Sequence, residues 1–83
     1  MAFNNTGTPV WVDAGQSIGW SYGFGDNRGA QIAMANPLSP DAQMVVTYEA
    51  NELNDDGSLT YFVGFQNNGA QPCFHNICGG GLV

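Results

Sequence analysis

The sequence predicts an all-β fold, a single small antiparallel β-sandwich of about six strands. Two observations support this prediction. Large apolar residues alternate with small or polar ones in several short runs, which is typical of strands that bury one face. Clusters of Asp, Asn, Gly and Pro separate these runs, and these residues favour tight turns. Short strands joined by such turns are typical of a sandwich.

Six runs follow the alternating pattern, and each predicts a strand. In chain order they are VWV (10–12), SIGWSYGFG (17–25), AQIAMA (30–35), MVVTYE (44–49), LTYFVGF (59–65) and CFHNIC (73–78). The segments between them are turn-forming: DAG (13–15), GDNRG (25–29), NPLSPD (36–41), NDDG (54–57) and NNG (67–69). We see no repeat or linker, so residues 1–83 should form one domain. Gly79–Gly81 should act as a hinge, making 79–83 a flexible glycine-rich tail.

The alternation also predicts which side chains share a face. Met44, Val46 and Tyr48 should lie on one side of the fourth strand. Trp11 and Phe62 each lie between two inward-facing residues and should therefore point outward. Exposed aromatic side chains on a small polar sandwich indicate a contact surface. If both faces of a sheet are covered, however, the alternation does not identify exposed residues.

The charge of the chain excludes several classes of partner. It has seven acidic residues, a single base, Arg28, and no lysine, giving a net charge of −6. Such a surface repels the phosphates that supply most nucleic-acid affinity, and it disfavours anionic membranes. Only 10% of residues are charged, well below the usual ~25%, so amides and hydroxyls must supply most of the polar surface.

The sequence leaves the cellular location open. No apolar run approaches the ~20 residues of a membrane span. The start, MAFNNTGTPV, lacks the basic and apolar regions of a signal peptide. We therefore expect a cytoplasmic protein, one that reaches the cell surface or exterior by another route, or one whose leader has been removed.

The segment CFHNIC contains both cysteines and the one histidine, and it allows three interpretations. A zinc site would need a fourth ligand beyond Cys73, His75 and Cys78. A disulfide between the cysteines would need a tight turn at residues 75–76, because an extended strand separates them by ~16 Å. As a closing strand, it would point Phe74 and Cys78 one way and Cys73, His75 and Ile77 the other. An outward thiol could then link neighbouring chains.

The stretch YFVGFQNNGAQPCFHNI (61–77) resembles the last hairpin of immunoglobulin-like and fibronectin-like modules. In those modules a strand often ends in a V-x-N-x-G type of turn before the closing strand. The resemblance implies a sandwich of that type or a jelly-roll-like one, and it implies no functional residues.

Catalysis is not expected from this sequence. His75 has no serine or acid at a diagnostic spacing, and Asp55 and Asp56 are neighbours that diverge in a turn. GFGDNRG (23–29) lacks the spacing and the following helix of a phosphate-binding loop. Loop acids and amides suit calcium, but no calcium-loop motif is present, so we expect no metal and no cofactor.

We therefore expect a non-enzymatic, lectin-like module that binds a neutral polar ligand such as a glycan. Its predicted binding residues are the outward-facing aromatic and the loop polar residues: Trp11, Asp26, Asn27, Arg28, Asp55 and Asp56. The alternative is a self-assembling subunit of a coat, filament or homo-oligomer. Its contacts would be the sheet edges and the tail with Leu82 and Val83. Cys73 and Cys78 are candidates for a disulfide, either within the chain or between chains of the assembly.

Overall fold

The computed structural model describes residues 2–4, by their backbone alone, and residues 9–81. These residues form seven strands in two antiparallel sheets, which confirms the predicted all-β sandwich. The strands are β1 (Ala2–Asn4), β2 (Val10–Val12), β3 (Ser17–Gly23), β4 (Gln31–Pro37), β5 (Met44–Leu53), β6 (Leu59–Asn67) and β7 (Cys73–Gly81). The short β1 is additional to the six predicted strands. Nothing in the described ranges is a helix of the length and apolarity that crossing a membrane requires.

Each sheet is built around one central strand. In sheet A, β7 pairs with β4 along one edge, and β1 and β2 follow one another along its other edge. In sheet B, β6 lies between β3 and β5. The inward faces of the two sheets enclose a buried cluster of Ala33, Ala35, Val63, Phe65 and Ile77. The alternating residues of β3 pack against this cluster, as the sequence pattern predicts.

The predicted hinge at Gly79–Gly81 is wrong, because these residues form the end of β7. Gly79 and Gly80 pair with β1 on one edge and with β4 on the other, and Gly81 pairs with Gln31. Backbone hydrogen bonds on both edges offset the conformational entropy that glycine loses in a strand. Leu82 and Val83, the predicted apolar tip of the tail, lie outside the described residues.

A β-bulge in β5 reverses the predicted orientation of one aromatic residue. The register shifts between Val46 and Tyr48, which leaves Thr47 without an opposite residue. Met44 and Val46 pack on the core, but Tyr48 lies opposite Gly64 on the outer face. The prediction that Tyr48 shares their face is therefore wrong. A Cβ at Gly64 would lie 2.6 Å from Thr47 Oγ1 and closer still to the Tyr48 ring.

Candidate functional site

The segment CFHNIC is a regular part of β7, so the closing-strand interpretation is confirmed. Cys73, His75 and Ile77 are buried between the sheets, and Phe74 is exposed on the outer face. Cys78 falls on the same side of the strand as Phe74 and opposite to Cys73. Across ~16 Å of extended strand, the two cysteines cannot form a disulfide with each other.

The buried His75 uses both ring nitrogens: Nδ1 contacts β2 within sheet A, and Nε2 links sheet A to β3 of sheet B. Its side chain is 0% exposed. Nδ1 lies 2.9 Å from the carbonyl oxygen of Val10, and Trp20 Nε1 donates to Nε2 over 3.3 Å. A carbonyl accepts and an indole N–H donates, so the ring must be neutral with its proton on Nδ1. Burial lowers the pKa of His75, and its hydrogen bond to Val10 opposes that shift in part.

These contacts indicate that His75 has a structural role rather than a role as a metal ligand. Both nitrogens that could bind a metal already take part in hydrogen bonds. Within residues 9–81, no group of three or more His, Cys, Asp or Glu side chains is placed to hold a metal ion.

The predicted loop residues lie together at one end of the sandwich. Asp26, Asn27 and Arg28 occupy the β3–β4 loop, and Asp55 and Asp56 occupy the β5–β6 turn. The backbone N–H of Leu59 donates to the carbonyl of Asp26 over 3.1 Å, which brings the loop and the turn side by side.

Within this end, however, the polar groups of the loop mainly stabilise the loop itself. Arg28 Nε donates to Asp26 Oδ1 over 3.0 Å, and the Arg28 guanidinium lies 4.1 Å from the centre of the Phe24 ring. Asn27 Oδ1 accepts from the backbone N–H of Gly29 at 2.9 Å. Side-chain bonds of this kind explain why Asp and Asn are favoured in turns without any ligand.

The β5–β6 turn uses its acidic side chains in the same way. Asp56 Oδ1 accepts from both the hydroxyl and the backbone N–H of Ser58, at 2.6 and 2.9 Å. Both hydrogen bonds lower the pKa of Asp56, and the bond from the Ser58 hydroxyl has the larger effect. Asp55 is exposed in the turn beside it.

Trp11 is exposed, as predicted, but it lies at the other end of sheet A. It pairs with Phe74, the two rings are 5.0 Å apart in an edge-to-face arrangement, and its Nε1 donates to Asp13 Oδ1 over 2.8 Å. The β3–β4 loop leads into β4 opposite Gly81. Phe74 and Gly81 are separated by ~23 Å of extended strand. The structure therefore does not bring Trp11 together with the predicted loop residues, and one small ligand cannot contact both.

A third location, which the sequence did not reveal, is an open cleft between the edges of β4 and β5. Its volume is about 240 Å³. We call it the β4–β5 cleft, and its polar and aromatic lining consists of Tyr22, Gln31, Glu49, Asn51, Tyr61 and Phe62. Glu49 Oε1 accepts from the backbone N–H of Ala33 over 2.7 Å, so the carboxylate joins the two sheets at this cleft.

Two tyrosines form the inner wall of the β4–β5 cleft. Tyr22 and Tyr61 stack with ring centres 5.2 Å apart and an interplanar angle of 18°. The Tyr61 hydroxyl donates to the carbonyl of Gly29 over 2.7 Å, which holds its ring in place. Burial, and then the neighbouring Glu49 carboxylate, raise the pKa of Tyr22, so its phenol stays neutral at physiological pH.

The bulge explains why sequence reasoning missed this cleft. With unbroken alternation from Met44, Glu49 would point away from the core. The extra residue at Thr47 turns Glu49 inward, opposite Val63, and Asn51 with it, opposite Tyr61. No local pattern marks such an extra residue, so the sequence contained no signal for this cleft.

Comparisons with known proteins identify no family for this chain. No protein-family model matches it, and searches of curated proteins and of solved structures return no significant match.

Proposed function

We propose that the protein is a non-enzymatic, lectin-like binding module whose site is the β4–β5 cleft. The proposed ligand is a neutral polyhydroxylated molecule, most simply one sugar ring. The observation that supports this proposal is the combination of Glu49, Asn51 and Gln31 with the stacked Tyr22 and Tyr61 in one open cleft.

The chemistry of the cleft favours hydroxyl groups as partners. A carboxylate accepts hydrogen bonds from hydroxyls strongly, and amides both donate and accept. One oxygen of Glu49 already holds β4, which fixes the direction of the carboxylate before a ligand arrives. The aromatic wall provides apolar surface for the C–H faces of a ring. An anionic ligand is disfavoured by the net charge of −6.

The size of the cleft limits the ligand. Ordinary ligand pockets begin at about 300 Å³, and this cleft has about 240 Å³. One ring, terminal in a longer glycan or free, is therefore the expected occupant, and the open side lets the rest of a glycan extend into solvent.

The test is binding to an array of neutral glycans, followed by calorimetry with the best ligand. Glu49→Gln keeps the size and one carbonyl oxygen but removes the charge, and a charge-assisted bond of ~1.5–3 kcal/mol predicts a 10- to 100-fold loss of affinity. Asp55→Asn, in the β5–β6 turn, removes the same charge outside the cleft and should leave affinity unchanged. If Trp11→Ala abolishes binding while Glu49→Gln does not, the ligand binds at Trp11 instead. Absence of binding to any glycan would contradict the lectin proposal.

The second candidate is the self-assembling subunit. One observation favours it: over its described residues, the outer edge of β3 carries no charge, proline or bulge. The predicted contribution of Leu82 and Val83 to assembly concerns residues outside the described part of the chain.

A further inference from the structure

We propose that two copies of this chain pair through their β3 strands, in antiparallel orientation, so that their B sheets join into one continuous sheet. The four sheet edges differ in how they are protected. Natural sheets protect their edges from pairing with other chains by charges, prolines, bulges, very short edge strands or covering groups.

Three of the edges carry such protection. In β4, Pro37 lacks an N–H, and the N–H of Ala33 is already bonded to the Glu49 carboxylate. In β5, the bulge at Thr47 disrupts the edge, and Glu52 adds charge. The edge formed by β1 and β2 is discontinuous, since two short strands of three residues each share it.

Within the described ranges, the edge of β3 has none of these features. Its sequence, SIGWSYG, contains no charge and no proline, and its pairing with β6 runs without a register shift from Ser17 to Gly23. Among the described residues, β3 pairs with no strand other than β6. Its other edge therefore presents a straight row of backbone groups.

The direction of these groups follows from the ladder. The N–H of Asn67 donates to the carbonyl of Gln16 over 3.0 Å, so Gln16 is hydrogen-bonded to β6. In an antiparallel ladder the bonded positions alternate. The even-numbered residues of β3 thus bond to β6. The odd-numbered ones direct N–H and C=O outward: Ser17, Gly19, Ser21 and Gly23.

This row is complementary to itself. With a two-fold axis at Trp20, Ser17 of one copy lies opposite Gly23 of the other, and Gly19 lies opposite Ser21. All outward groups then find partners, giving up to about eight backbone hydrogen bonds. The result is one sheet of the order β5-β6-β3-β3-β6-β5, and its interface is isologous.

Charge and burial both favour a second copy as the partner. Each copy carries a net charge of −6, so two copies repel each other over most of their surfaces. The edge of β3 has no charged residue, so two copies can meet there without like charges in contact at the β3–β3 interface. Ile18, Trp20 and Tyr22 on the inner side of β3 are only partly buried. Pairing would cover them further. The interface is small, so we expect a weak dimer at the lower end of the usual size range.

Sedimentation equilibrium over a range of protein concentrations tests the proposal. The expected result is a monomer–dimer equilibrium that is indifferent to reductant. Ser21→Glu places two carboxylates diagonally across the interface, ~8 Å apart, and should raise the dimer dissociation constant about two- to fivefold. Ala50→Glu is the matched control, because Ala50 and Ser21 both lie opposite Phe62 on the outer face. It adds the same charge two strands from the interface and should not change the dissociation constant.

A second variant acts on the backbone alone. Ser21→Pro removes an outward N–H while leaving the bonds of β3 to β6 in place, and it should also weaken the dimer. Far-UV circular dichroism shows whether this variant folds. If it does not fold, the dissociation constant of the Ser21→Glu dimer remains the test of the proposal. A wild-type monomer at all concentrations, or a dimer whose dissociation constant Ser21→Glu leaves unchanged, would overturn the proposal. A dimer that reductant dissociates would indicate a cysteine link instead. Glycan binding by a monomer would leave the cleft proposal standing.

Discussion

The substitution His75→Phe would measure what the buried link between the sheets contributes to stability. Phenylalanine keeps the ring shape and its contact with Phe65, whose centre lies 6.0 Å from that of His75, but removes both ring nitrogens. Val10 then loses a 2.9 Å bond to its carbonyl, and Trp20 loses the acceptor 3.3 Å from its N–H.

The expected cost follows from these two groups. A buried polar group left without its partner costs ~1–3 kcal/mol. The hydrogen bond of Trp20 is long and Trp20 is partly exposed, so its unpaired N–H should cost about 1 kcal/mol. The Val10 carbonyl should also cost little, because a carbonyl tolerates the loss of one hydrogen bond better than an N–H does. We therefore expect a decrease of about 2 kcal/mol in the free energy of unfolding. For a domain whose total is ~5–15 kcal/mol, that is a large fraction.

Urea unfolding, followed by tryptophan fluorescence and circular dichroism, is the assay. Trp20→Phe alone and the double variant complete a double-mutant cycle. Its coupling energy should be about 1 kcal/mol, because Trp20 and His75 share one hydrogen bond and an edge-to-face ring contact. Ile77→Val, a deletion of one methylene in the same strand, is the apolar control. If His75→Phe is as stable as the wild type, the two hydrogen bonds contribute nothing net and the reasoning fails.

The folded state lowers the pKa of His75, so on acidification the unfolded state takes up the proton first. The free energy of unfolding should therefore be highest above pH ~6.5 and fall below it, by at most ~1.4 kcal/mol per pH unit. In urea midpoints measured from pH 8 to 5.5, His75→Phe should lack this pH-dependent decrease. Gly64→Ala should lower the free energy of unfolding by ~1–3 kcal/mol, because the added methyl group overlaps Tyr48 and Thr47. The decrease should be smaller in a Tyr48→Ala background, and an equal decrease in both backgrounds would contradict the overlap. Asp41 has a φ of 65°, so Asp41→Gly should stabilise the protein by up to ~1 kcal/mol in thermal unfolding, and a lower melting temperature would show that the aspartate side chain matters more than its backbone.

Local patterns in the sequence predicted most of the strands, because a strand with one buried face imposes period two on its own residues. The same rule predicted that Cys73, His75 and Ile77 share one face, and the structure shows that this face is the buried one. The rule failed at Thr47, since a bulge is one extra residue and leaves no distinct composition. It also failed at Gly79–Gly81, where pairing with two distant strands outweighs the local flexibility of glycine.

The β4–β5 cleft depends on contacts that no local pattern contains. Tyr22 and Tyr61 come from different strands of sheet B, while Gln31 comes from the edge of sheet A. Their proximity results from how the sheets stack, and the sequence does not encode that at any fixed spacing. The loop acids were placed correctly on turns, but their use in capping those turns depends on distances that only the folded chain shows.

The central position of β7 has a consequence for how the chain reaches its native state. Its partners β1, β2 and β4 all precede it, and Ala2 pairs with Gly80. Sheet A therefore cannot nucleate from neighbouring hairpins, and its contacts have a high contact order, which is typical of domains that fold in milliseconds to seconds. During synthesis, β3, β5 and β6 can form sheet B before β7 is available, while β1, β2 and β4 still lack the strand with which they all pair. Before β7 pairs with them, the unpaired strands should make the chain most susceptible to aggregation and most dependent on chaperones.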